Sequence, residues 1–79
     1  MNRLPEMIPV DSSSIEAVAY DDEARRLHVR FRESGETYIY LDVDARVFDD
    51  LLAAESKGAY LNREVKGRFA FTGPQGPSR

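Results

Sequence analysis

The stretch from Leu27 to Arg32 constrains the fold of this chain more than any other. Leu27, Val29 and Phe31 alternate strictly with His28, Arg30 and Arg32. A period of two puts the apolar side chains on one face of a strand and the basic ones on the other. Turn residues flank it: Asp21-Asp22-Glu23-Ala24 before, Glu33-Ser34-Gly35-Glu36 after. Beyond those turns lie two further apolar runs, Ile15 to Tyr20 and Thr37 to Val43. Links this short pair strands antiparallel, because a parallel pair needs a long crossover. The expectation is a three-stranded antiparallel meander. In its first strand Val18 and Tyr20 share a face while Ile15 has the wrong parity, so a bulge or bend is expected there.

The pattern then changes period. Val47, Phe48, Leu51 and Leu52 fall at i, i+3 and i+4 spacing, an apolar helical stripe. Asp44 stands where a carboxylate would cap that helix, and Gly58 where a reversal with positive φ would stop it. Tyr60, Leu61 and Val65 predict a short second helix ending near Gly67, with Asn62 as its cap. Phe69 and Phe71 alternate as a last extended piece. The fold class is therefore α+β: a three-stranded antiparallel β-meander followed by one main helix and a short second helix packed on one face, in two layers. Residues 1–11, with Pro5 and Pro9, read as a loosely ordered N-terminal arm. Residues 12–71 form the domain, and residues 72–79, TGPQGPSR, read as a disordered tail.

With 79 residues there is room for one domain with a thin core. The absence of cysteine removes disulfide and thiolate chemistry. No apolar run is long enough to span a membrane, and Met1 to Val10 lack the core of a signal peptide. A cytoplasmic monomer is expected. The net charge of −3 argues against a strong non-specific nucleic-acid binder. The charge is uneven, however. Residues 1–45 carry five arginines against ten acids, and residues 46–79 carry six basic residues against four acids. An anionic partner would be sought first in the basic half.

Catalytic constellations are missing from the sequence. His28 is the single histidine, without a cysteine or second histidine beside which it could hold a metal. It reads as an exposed strand residue. Asp42, Asp44, Asp49 and Asp50 lack the spacing and glycine of a calcium loop. Ser56-Lys57-Gly58 is too short for a phosphate loop. The expectation is a protein that is not an enzyme and has no cofactor or metal.

Tyr38 and Tyr40, one residue apart after Gly35, are the ambiguous feature. If Ser34-Gly35 forms a two-residue turn, Phe31 faces Tyr38 and Val29 faces Tyr40, and both rings join the helix-covered face. An odd-length loop turns them outward beside His28, Arg30 and Arg32, an arrangement suited to single-stranded RNA. The even loop is favoured because so small a domain needs its aromatic area buried.

The order Ser13-Ser14-Ile15, Val18-Ala19-Tyr20, Leu27-His28-Val29-Arg30-Phe31, Gly35, Tyr38-Ile39-Tyr40, Val43, Leu52, Ser56-Lys57-Gly58-Ala59-Tyr60-Leu61-Asn62 and Phe69 resembles the KTSC domain. That family is named for the C-terminus of some lysyl-tRNA synthetases and also occurs as short stand-alone bacterial proteins. Its YxY and SxGxYxN elements both match here, and Asp44 stands where the family often has proline. What the resemblance implies is an accessory role on RNA, tRNA in particular, through association with a synthetase. The residues expected to carry it are Arg30, Arg32, Arg63, Lys66 and Arg68 for phosphates, with Tyr38, Tyr40, Tyr60 and His28 for stacking. The alternative is a protein-interaction module that docks through a sheet edge or an exposed aromatic patch such as Tyr60–Leu61 or Phe69 and Phe71.

Overall fold

The computed structural model describes residues 5–75. All of its strands form one antiparallel sheet in chain order: β1 (Ile8–Pro9), β2 (Ile15–Asp21), β3 (Arg26–Phe31), β4 (Thr37–Tyr40) and β5 (Phe71–Gln75). Between β4 and β5 come helix α1 (Ala45–Ala53), the short α2 (Lys57–Tyr60) and a π-helical turn, Leu61–Val65, which continues it.

The α+β class and the antiparallel order hold, but the sheet has five strands rather than three. β1 comes from a segment with no strand period, and β5 begins at Phe71, in the last extended piece expected from Phe69 and Phe71, and runs on through the start of the segment read as a tail. Ile8 and Pro9 pair with Val18 and Ala17, and Phe71 pairs with Tyr40. What recruits them is the open backbone edges of β2 and β4, whose N–H and C=O groups need partners. Residues 1–4 of the arm and 76–79 of the tail lie outside the described residues.

The alternation of β3 does what its period requires. Leu27 and Val29 are fully buried and pack with Ile15, Val18, Tyr40 and Val43 of the sheet side against Leu51, Leu61 and Val65 of the helical layer. The expected irregularity in β2 is present: the register shifts between Ile15 and Ala17. The extra residue brings Ile15 onto the core face opposite Phe31 while Ala17 stays on the other face.

The β3–β4 hairpin resolves the tyrosine question. Val29 faces Tyr38 and Leu27 faces Tyr40, and Phe31 N–H donates to the Glu36 carbonyl at 2.9 Å. The loop is thus four residues, Arg32 to Gly35, instead of the two-residue turn. The register slips by two, an even number, so both rings stay on the helix-covered face as the even-loop reading has it.

Several local expectations are corrected. Asp44 does precede α1, but its side chain makes no cap hydrogen bond and pairs with the Arg25 guanidinium instead. Gly58 lies inside α2, and a Cβ there would run into Ser14 Oγ; close approach of Ser14, just before β2, not a helix stop, is what its missing side chain serves. The cap of α2 is Ser56, whose Oγ accepts from Ala59 N–H at 3.3 Å, whereas Asn62 sits within the π turn. His28 is only 6% exposed, because it lies on the central strand between Ala19 and Ile39.

Candidate functional site

The feature that gathers most of the chemistry is an open aromatic cleft of about 420 Å³ at the β4–β5 side of the sheet. It follows from three local facts. Phe31, the last residue of β3, and Tyr38 on β4 are on the same face, with rings edge to face at 5.6 Å. Phe71 opens β5 opposite Tyr40, which sets its ring 5.5 Å from Tyr38 and 5.8 Å from Tyr40. The π turn then ends in Lys66 and Gly67, and Gly67 takes a φ of +84° that side chains disfavour. That reversal leaves the Lys66 ammonium 4.9 Å above the Phe31 ring. Glu33, from the β3–β4 loop, also lines the cleft.

Burial grades the rings. Tyr40 is 3% exposed and forms part of the core, Tyr38 is half-buried, and Phe71 is 55% exposed. Burial, and then the neighbouring Tyr38, push the Tyr40 phenol above its ordinary pKa, so it stays neutral as a floor. Phe71, with more than half its surface exposed, is the most accessible of these rings. Lys66 and Glu33 make no ion pair among the described residues, so both charges are open to a partner.

The other anticipated residues are dispersed. Arg32 acts as a strap: its guanidinium donates to the carbonyls of Ser12 at 3.1 Å, Ile15 at 3.3 Å and Val10 at 3.5 Å. Arg30 lies on the opposite face of the sheet from the tyrosines and approaches Glu16 at 3.8 Å. Arg63 and Arg68 share Glu64, at 3.0 and 3.5 Å. Arg63 also stands 5.9 Å over the Tyr60 ring, in a separate hollow that includes Asp50 and Glu55. Desolvation lowers the pKa of the nearly buried His28, on the face away from the cleft. The structure therefore brings Tyr38, Tyr40 and Lys66 together and leaves Arg30, Arg32, Tyr60 and Arg63 elsewhere. Phe31, Glu33 and Phe71 complete the cleft; none was in the expected RNA-contacting set, and Phe71 entered only as part of the docking alternative. The even-loop reading, which sets Phe31 on the same face as Tyr38, was the sequence clue to its place. Glu33 read only as a turn residue.

These features define a small two-layer α+β domain with an open aromatic cleft. The chain belongs to the KTSC domain family, which it matches over residues 11–69. It is 54% identical over 63 residues to a protein of Tsukamurella paurometabola, covering 80% of this chain and 92% of that one. It is 34% identical over 65 residues to the lysine–tRNA ligase of Nostoc punctiforme, covering 82% of this chain and 11% of the ligase. The crystal structure of a KTSC domain protein from Yersinia pestis superposes with a TM-score of 0.83 at 38% identity, over 87% of this chain and 96% of that chain. The family resemblance read from the sequence is thus borne out, and the fold is shared with a stand-alone KTSC protein.

Proposed function

We propose that this KTSC domain is a non-catalytic, accessory RNA-binding module that takes one unstacked base of a single-stranded segment, such as a tRNA loop or end, into the aromatic cleft. The observation that carries the reading is the exposed Phe71 ring beside half-buried Tyr38, with the unpaired ammonium of Lys66 over Phe31. Base–aromatic stacking and one phosphate contact are the minimal grammar of single-strand recognition. Similarity to part of a lysine–tRNA ligase supports RNA as the polymer. Binding is weak, because the net charge is −3 and Arg63 and Arg68 are already shared with Glu64. The module acts as a cytoplasmic monomer.

The test is an NMR titration of the labelled chain with bulk tRNA and a single-stranded oligonucleotide. Shifts should cluster on Tyr38, Lys66 and Phe71. Tyr38→Ala should cost about 1–3 kcal/mol of binding, and Lys66→Glu should lower the salt slope by about 1. No shift at the cleft with either RNA sinks the proposal. It would leave the second reading, protein docking, which rests on Phe71 standing 55% exposed on β5, the last strand of the sheet.

A further inference from the structure

We infer that the cleft is selective for guanine, with Glu33 as its specificity-determining residue; this rests on the base-in-cleft reading above. The cleft wall is aromatic except for the glycine turn and two charged side chains, Glu33 and Lys66. Lys66 stands over the Phe31 ring. Its ammonium, a donor-only group, meets phosphate oxygens of any sequence. Tyr38 and Tyr40 carry hydroxyls as well, but Glu33 is the lining side chain that, ionised, only accepts hydrogen bonds and so asks a base for donors.

That requirement separates the four bases. Guanine presents two adjacent donors on its Watson–Crick edge, N1–H and the N2 amino group, which match the two oxygens of one carboxylate. Adenine and cytosine each present one amino donor next to a ring nitrogen acceptor that would repel the second oxygen. Uracil presents its N3–H between two carbonyls. A charge-assisted bidentate pair is among the stronger polar contacts a side chain can make. Glu33 makes no ion pair among the described residues, so no internal cation must be displaced before it can bind. Stacking on Phe71 and Tyr38 holds the plane of the base, and the carboxylate reads its edge.

The experiment compares the RNA pentamers UUGUU, UUAUU, UUCUU, UUUUU and UUIUU, where I is inosine, against the full chain and Glu33→Gln by NMR titration. UUGUU should bind at least about fivefold more tightly than UUAUU or UUCUU. Inosine, which keeps N1–H but lacks the amino group, should fall between guanine and adenine. Glu33→Gln should erase the guanine preference, bringing UUGUU, UUAUU and UUCUU to the same affinity. Equal affinities, with shifts still centred on Tyr38 and Phe71, would overturn guanine selection and leave base binding standing. If none of the pentamers shifts those residues, the base-in-cleft reading falls and guanine selection with it.

Discussion

His28 and Gly58 show how much a single side chain can depend on its surroundings. The His28 ring is nearly out of solvent, and burial, with Asp21 opposing and Arg26 assisting, lowers its pKa below 6.5. Unfolded, the imidazole titrates near the ordinary value; folded, it resists the proton. Its contribution to stability is therefore complete above about pH 6.5 and is lost as pH falls through the lower folded pKa. Thermal unfolding at pH 7.5 and pH 5 should show a smaller acid loss in His28→Gln than in the parent chain, with the His28 term no steeper than about 1.4 kcal/mol per pH unit. Gly58 makes the converse case. In an open helix Gly→Ala would help by about 1 kcal/mol, but here the new Cβ meets Ser14 Oγ. Exposed Ser14 can turn its hydroxyl aside, so Gly58→Ala should keep only part of that gain of about 1 kcal/mol, and the full gain should appear in a Ser14→Ala background. A double-mutant cycle by urea unfolding measures that coupling. The glycine was visible in the sequence and its reason was not, because Ser14 and Gly58 meet only when β2 and α2 are packed.

At the scale of elements, the hydrogen-bonded connections decide more than the propensities do. Tyr20 donates its hydroxyl to the Val43 carbonyl, and Val43 N–H donates to the Arg25 carbonyl at 2.8 Å. Together with the Arg25–Asp44 pair, they tie the β4–α1 link to the β2–β3 turn. Arg25 takes a φ of 57° there, a left-handed conformation that costs a side-chain-bearing residue something like 1 kcal/mol. The N-terminal segment depends on Arg32 in the same way. Arg32→Ala should free Val10, whose N–H donates to the Glu16 carbonyl, and hydrogen exchange at Val10 should accelerate while the β3–β4 amides keep their protection. Because the acceptors are neutral carbonyls, this effect should be nearly independent of salt. Loss of RNA affinity in an Arg32 variant would then report a loosened arm rather than a lost phosphate contact. Two-residue β1 was illegible as a strand, since neither Ile8 nor Pro9 has a period to display.

The whole molecule is a single core with helices on one face of a twisted sheet, and its cleft sits where the last strand meets that core. Leu51, fully buried between the layers, should cost about 2–5 kcal/mol as Leu51→Ala, a large share of what a domain of this size can muster. Urea denaturation should show the midpoint collapse. Period-two alternation at Leu27 to Phe31, the parity defect at Ile15, the stripe from Val47 to Leu52 and the order of the family's motifs were all written in the sequence, because each depends on neighbours a few positions away. Placement of Phe71 against Tyr38, of Lys66 over Phe31, of Glu33 in the same cleft, and the strapping role of Arg32 were decided only by the tertiary structure. These are contacts between segments distant in the chain or between a side chain and a loop whose length was open. A local pattern states which face a residue takes, and only the packed register states which residue stands opposite.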